Sequence, residues 1–314
     1  MSANLSPEYL EAERGYRSAH TLAEKIAALT KMLATVPKHK GTEKMQADLK
    51  HRLSEARKES QKSSGAARAA PFYLVDREGA GQIALIGPPN AGKSQLVCAL
   101  THARPEVAEY PFTTRLPVPG MMMFENVQVQ LVDLPPISSE FTEQWLPQAI
   151  RNADHGVMVV DANDPAVLDE VEFINQTLSG WRVPSPRLLA ANKSDLEGAN
   201  DNFTVLQELY GDRFQLLPIS AATGLNLDRF RREIFDLLGI VRVYTRVPGH
   251  KADLTAPFIL PRGQTVIDAA RLVHKDFEEH LKFARLYGGS HPHEGLRVER
   301  THVVEDGDIL EFHI

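Results

Sequence analysis

Eight consecutive residues, Gly87-Pro88-Pro89-Asn90-Ala91-Gly92-Lys93-Ser94, constrain this chain more than any other feature. They fit the spacing G-x-x-x-x-G-K-[ST]. Just before them lies Gln82-Ile83-Ala84-Leu85-Ile86, an apolar run of strand length. Just after them, Gln95-Leu96-Val97-Cys98-Ala99-Leu100 reads as a helix. Strand, glycine loop and helix in that order predict a cradle for phosphate. Backbone N–H groups of the loop and first helical turn point into it, and the helix dipole adds partial positive charge. The binding residues expected from this motif are Gly87, Asn90, Ala91, Gly92, Lys93, Ser94 and Gln95. Lys93 would reach the β- and γ-phosphates of a nucleotide, and the Ser94 hydroxyl would bind Mg²⁺.

At 314 residues the chain has room for two domains and an extension. Its 43% hydrophobic and 24% charged content is that of an ordinary globular protein. The single cysteine, Cys98, excludes a disulfide framework, fits a reducing cytoplasm, and is expected to be a small core residue. No run of 18 apolar residues predicts a membrane span, and the polar N-terminus does not resemble a secretory signal. A cytoplasmic location and no membrane partner are therefore expected. The net charge of −6 is unevenly spread: residues 1–70 carry +5, residues 71–239 carry −10 and residues 240–314 carry −1. A basic arm on an acidic body points to a polyanionic partner, with RNA the obvious candidate. On charge alone a solvated helical face explains the arm equally well.

Three segments are expected: a helical hairpin extension over 1–70, an α/β domain over 71–239 and a small α+β module over 240–314. Residues 8–62 look helical, with Leu22, Ile26, Leu29 and Leu33 at helical spacing. Pro37 and Gly41 interrupt that run around a basic tip, Lys38-His39-Lys40-Gly41, and Ser63-Ser64-Gly65-Ala66-Ala67 reads as a linker. Strand patterns at Val127–Val132, Gly156–Val160, Leu188–Ala191 and Phe214–Ile219 alternate with helical ones at Pro165–Leu178, Val205–Tyr210 and Leu227–Leu238. This alternation predicts a mostly parallel sheet with helices on both faces and ligands at the carboxyl ends of the strands. In the last segment Ile240–Val247, Phe258–Leu260 and Asp308–Phe312 read as strands. A helix is expected from Val266 to about Phe283, with Thr265 as its N-cap. The size and order suit a ubiquitin-like β-grasp fold.

Further motifs narrow the ligand. Asn192-Lys193-Ser194-Asp195 fits N-K-x-D at a strand end. Asp195 would accept hydrogen bonds from N1 and the exocyclic amine of guanine, a donor pair adenine lacks, so the wrong base leaves a carboxylate unpaired. Asn192 and Lys193 would brace the loops, and Ser220-Ala221-Ala222 would offer backbone N–H to guanine O6. Asp133, ending an apolar strand, would hold Mg²⁺ through a water. Tyr110-Pro111-Phe112-Thr113-Thr114 lies where a switch segment is expected, and Thr114 is favoured as its Mg²⁺ ligand, ordered when the γ-phosphate is present. Lys93, Thr114 and Asp133 are the candidate catalytic residues.

Together GPPNAGKS, YPFTT, DLP, NKSD and SA resemble the Obg branch of translation-factor GTPases. Residues 241–266, VRVYTRVPGHKADLTAPFILPRGQTV, resemble the TGS domain of the developmentally regulated GTP-binding (DRG) proteins. The N-terminal helices resemble the helical region of the same family. The resemblance covers nearly the whole chain and implies a P-loop GTPase bound to GTP/GDP with Mg²⁺, working with ribosomes or RNA through the helical hairpin and the TGS domain, and a protein regulator as a further partner. Asn90 resembles the asparagine that coordinates K⁺ in related GTPases.

Two departures stand out. Only 59 positions separate Asp133 from Asn192, which leaves little room for the subdomain that DRG proteins insert before N-K-x-D. Pro136 replaces a family glycine whose N–H binds the γ-phosphate, and proline has neither that N–H nor a free φ. Either the second switch is disabled or a neighbouring N–H substitutes. Ile137 stands where many GTPases have a water-positioning glutamine. The expected function is a slow GTPase acting as a ribosome- or RNA-associated switch; the alternative is a non-hydrolysing GTP/GDP-binding adaptor. Of the remaining features, His291 and His293 are expected in a surface loop, Met121-Met122-Met123 in a strand, Trp145 and Trp181 in packing, and Asp161 and Asp164 as caps of the following helix.

Overall fold

A computed structural model describes residues 9, 16, 22–36, 46, 48–54, 71–101, 116–288 and 295–314. The chain divides into two compact units, Met1–Pro71 and Phe72–Ile314. In the first, Leu22–Thr35 is a helix and residues 48–54 are helical. Leu29, Met32, Val36, Leu49 and Leu53 bury an apolar cluster of their own, with Leu33 packed beside it. The basic tip at 38–41 and the linker at 63–67 lie outside the described residues.

The second unit holds two sheets. The first has strand order β2-β3-β1-β4-β5-β6, with β1 Gln82–Ile86, β2 Val118–Phe124, β3 Val127–Asp133, β4 His155–Asp161, β5 Leu188–Asn192 and β6 Gln215–Pro218. Only β2 runs antiparallel to its neighbour. Every residue of β1 and β5 is buried, because both faces of a parallel sheet are covered. Alternation sends Ile83 and Leu85 to one face, against Leu96 and Val97 of the helix Lys93–Leu100 and Phe230 and Ile234 of the helix Leu227–Leu238. Ala84 and Ile86 go to the other, against Leu146, Ile150, Val171 and Ile174. Every parallel strand delivers its carboxyl end to the same edge.

The second sheet has order β10-β9-β11-β7-β8, from β7 Ile240–Thr245, β8 Phe258–Pro261, β9 Phe283–Gly288, β10 Leu296–Val298 and β11 Asp308–His313. Val266, Ala269 and Ala270 of the helix Val266–Val273 pack on its inner face with Val241, Val243, Leu286 and Leu310. Thr265 and Asp268 close a capping box at that helix's start.

The two sheets are joined by β7. Ile240 and Ile259 pack into the first sheet's apolar cluster. Arg242 donates from Nε and Nη2 to the Asp306 carboxylate at 3.0 and 2.7 Å, and from Nη1 to Glu125 in the β2–β3 turn. Its guanidinium lies 5.1 Å from the Phe235 ring centroid. Asn126 donates to the Tyr244 hydroxyl at 2.6 Å and to the Leu254 carbonyl at 2.9 Å.

Three expectations need correction or completion. The helix expected from Val266 to Phe283 breaks at His274, which is extended (φ −167°, ψ 148°) and accepts the Asp276 N–H on its Nδ1 to start a second helix, Lys275–His280. Phe283 is instead the first residue of β9, paired with His313. Cys98 is exposed, not core: its helix buries Lys93, Leu96, Val97 and Leu100, and Cys98 falls on the opposite face. The sequence also gave no notice of the helix Leu146–Asn152.

Because Arg242 serves carboxylates on both sides of the joint, replacing it with methionine should destabilise the second unit by about 1–3 kcal/mol, and lysine should not restore it, since an ammonium lacks the guanidinium fork. Urea melts of the three proteins check this; a lysine variant as stable as the wild type would refute it.

Candidate functional site

The motif residues gather at the carboxyl edge of the first sheet. The loop leaves β1 at Gly87, where a Cβ would sit 2.1 Å from the Val159 carbonyl oxygen. Gly92 has φ +84° and a Cβ there would lie 2.4 Å from Asn192 Nδ2, so both glycines are required by close approach and one also by its backbone. Asn90 takes φ 61° and is exposed. Lys93 is buried, with Nζ donating to the Gly87 carbonyl at 3.0 Å and the Pro88 carbonyl at 2.9 Å. Those bonds fold the ammonium back over the loop.

Parallel pairing of Leu85 with Asp133 brings the end of β3 beside the loop. Ser94 Oγ then donates to Asp133 Oδ2 at 2.5 Å. A hydroxyl and a carboxylate converging at the start of the helix form a hard-oxygen donor set that suits Mg²⁺. Gln95 is exposed one residue further on. Thr114, with the segment Tyr110-Pro111-Phe112-Thr113-Thr114, lies outside the described residues, as do His291 and His293.

Asn192 ties the site together. Its side chain is fully buried, donating from Nδ2 to the Ala91 carbonyl at 2.9 Å and accepting the Ala221 N–H on Oδ1 at 3.0 Å. One side chain thus links the phosphate loop to the loop after β6. Lys193 sits at φ 61° and pairs with Asp161 at 2.6 Å. Ser194 donates its N–H to the Ile219 carbonyl and its hydroxyl to the Ala191 carbonyl at 2.8 Å. These contacts leave Asp195 exposed at the mouth of the site. Ser220 is buried and its Oγ accepts the N–H groups of Ala222 and Thr223 at 3.2 and 3.1 Å.

Asp161 corrects a sequence expectation. It does not cap the next helix; it accepts the Asn163 N–H and holds Lys193. The pairing of Asp161 with Asn192 across β4 and β5 places it there, and only the sheet register could have revealed that. Asp164 does not cap that helix either: it accepts the Ala166 N–H at 2.8 Å, ahead of the helix Val167–Gly180, whose N-cap Ala166 has no side-chain cap bond. Trp145 stacks on Tyr73 with centroids 5.4 Å apart, and both tryptophans pack on the core as expected.

Beyond Asp133 the chain is tied down without an N–H at Pro136. Ile137 is buried and donates its N–H to the Gly87 carbonyl at 3.1 Å. The Ser138 N–H is taken by Thr142 Oγ1 at 3.2 Å, and the Thr142 hydroxyl donates to the Ser138 carbonyl at 2.9 Å.

Glu170 was not singled out in the sequence. Burial, then the charges of Asp164 and Asp161, push its carboxyl up to about 7, against a smaller opposing pull from Lys93 and Lys193. Its Oε2 is buried with no hydrogen-bond partner among the described residues.

A glycine loop between strand and helix, a serine–carboxylate pair and a loop-bridging asparagine at the same sheet edge define a P-loop GTPase domain. Residues 82–193 match the family described as 50S ribosome-binding GTPase, and residues 241–314 match the TGS domain; the chain joins a P-loop GTPase fold to a TGS domain. It is 26% identical to developmentally-regulated GTP-binding protein 1 of Xenopus laevis, over 93% of this chain and 98% of that protein. It is 25% identical to ribosome-interacting GTPase 1 of Saccharomyces cerevisiae, over 92% of this chain and 98% of that one. The Schizosaccharomyces pombe YchF GTPase shares the fold at 14% identity and a TM-score of 0.54, covering 77% of this chain and 100% of that one. The Xenopus alignment runs 364 positions against 93% of a 314-residue chain, so the relative has dozens of residues with no counterpart here.

A raised carboxyl favours the fold while protonated, so the Glu170 contribution is full below about pH 4.5 and is lost as pH rises through about 7. Glu170→Gln should therefore melt above the wild type at pH 8, with the gap closing toward pH 4.5. Equal melting temperatures across that range would contradict it.

Proposed function

We propose that this chain binds GTP and GDP with Mg²⁺, hydrolyses GTP slowly, and acts as a cytoplasmic, ribosome- or RNA-associated switch built from the helical extension (1–70), the GTPase domain (71–239) and the TGS domain (240–314). The carrying observation is the Asn192 bridge between Ala91 and Ala221. It couples a phosphate-binding loop to a base-binding one and leaves the neighbouring Asp195 carboxylate exposed to a ligand. In this reading Lys93 turns from the loop carbonyls to the β- and γ-phosphates. Ser94 and Asp133, with Thr114 from the first switch, hold Mg²⁺, which neutralises the charge between the phosphates. Asp195 accepts from guanine, with Lys193 and Ser220-Ala221-Ala222 framing the base. Asn90 is the candidate for K⁺. The ribosome enters from the matched family's description and from the yeast relative's name. No helix among the described residues is long and apolar enough to cross a membrane.

Asp195→Asn tests the base assignment. An amide can donate where the carboxylate only accepts, so it should lower GDP affinity by about tenfold to a hundredfold and raise affinity for xanthosine diphosphate, measured by titration calorimetry. Unchanged GDP affinity would remove Asp195 from the site.

A second reading, a nucleotide-binding adaptor that does not switch, is favoured by the anchored segment after Asp133. Pro136 offers no N–H, and the N–H groups of Ile137 and Ser138 are already engaged within the protein. The γ-phosphate thus loses a charge-assisted hydrogen bond here. GTP and GDP should bind within about tenfold of each other, and Pro136→Gly should widen the ratio in favour of GTP. Single-turnover hydrolysis in K⁺ and Na⁺ buffers decides between the readings: a slow K⁺-stimulated rate supports the switch, and none supports the adaptor.

A further inference from the structure

The outer face of the second sheet is divided in two. Ile240, Arg242 and Tyr244 of β7 and Ile259 of β8 are spent on the joint with the GTPase domain. The other half, β10-β9-β11, turns outward Phe283, Arg285 and Tyr287 from β9, Arg297 from β10, and Ile309, Glu311 and His313 from β11; alternation fixes this, since Ala284, Leu286, Val298, Leu310 and Phe312 fill the core. The register sets Arg285 between Arg297 and Glu311, and Phe283 beside His313.

These side chains are stacked. The Phe283 ring lies parallel to the His313 imidazole, with centroids 4.6 Å apart and planes 9° apart. The Arg297 guanidinium carbon is 4.1 Å from the Phe283 centroid. A second stack sits alongside, with the Arg246 guanidinium 4.0 Å from the Tyr287 centroid. Glu311, the one side-chain carboxylate that these three strands turn outward, is 4% exposed, paired with Arg246 at 3.1 Å and His313 at 2.8 Å. Arg285 and Arg297 are both exposed. The accessible charge of the strands is therefore cationic, laid over planar rings.

We infer that this half-sheet is a binding platform for single-stranded RNA. Planar bases stack on flat aromatic and guanidinium surfaces whatever their identity, and arginines beside them neutralise the phosphates. The Arg297–Phe283–His313 pile is pre-assembled, with the arginine as its exposed end, so a base extends it without reordering the protein. Arg285 supplies the adjoining phosphate contact. This inference rests on the proposal that the chain works on RNA, and it specifies the face and the chemistry of contact.

The test is fluorescence anisotropy of a labelled ~12-nucleotide single-stranded RNA with the full chain. R297E and R285E should each weaken binding by about tenfold or more, and R297K, which keeps the charge but loses the plane, by about threefold or more. A duplex of the same length should bind more weakly than the single strand. GDP binding should not move in any variant, and each should keep the wild-type circular dichroism spectrum at the assay temperature. Wild-type protein that binds no single-stranded RNA, or variants that bind it as the wild type does, overturn the inference. Sedimentation with ribosomes separates the two claims. Oligonucleotide binding without ribosome binding keeps the platform and defeats the ribosomal role; ribosome binding lost in R285E and R297E, with no oligonucleotide binding by the wild type, makes the face a protein contact and defeats the platform.

Discussion

One buried amide holds the nucleotide site together. Asn192 reaches from the end of β5 to the Ala91 carbonyl on one side and the Ala221 N–H on the other. Both partners belong to loops without regular structure, and each loop hangs from a different strand. The amide is suited to the task because it donates and accepts at once, and a buried side chain with both functions satisfied is rigid. Gly92 has no side chain because a Cβ there would strike this amide. The phosphate loop, the loop after β6 and the exposed Asp195 are all positioned from this one residue.

Much of this was legible in the sequence, and for identifiable reasons. The strand–loop–helix at Gln82–Leu100 could be read because its glycines, lysine and serine fall at the fixed spacing of a phosphate loop between an apolar strand and a helix. The parallel sheet could be read because strands buried on both faces are continuous apolar runs. What the sequence hid depended on tertiary pairing. Asp161 looked like a helix cap because its partner Lys193 is 32 positions away and meets it only through sheet register. The break at His274 was hidden because the residues around it favour helix, and the demand for Phe283 in β9 overrides them. Cys98 looked apolar enough for the core, yet helical phase turns it outward.

Pro136 changes meaning once the surrounding bonds are known. A proline alone removes one donor. Here the next N–H already closes onto Gly87, the first residue of the phosphate loop, and the Ile137 side chain is buried in the core beneath it. The segment after Asp133 is therefore tied to the phosphate loop. The β2–β3 hairpin offers a different route outward: Asp133 ends one of its strands, and its turn meets Arg242 and Tyr244 of the TGS domain.

The most direct test of the central role of Asn192 is GDP affinity of the Asn192→Ala protein, measured by titration calorimetry at a temperature where circular dichroism confirms the fold. Loss of the bridge should free both loops and lower GDP affinity by at least about tenfold, together with discrimination against ADP. A folded Asn192→Ala protein that binds GDP as tightly and as selectively as the wild type would contradict the account.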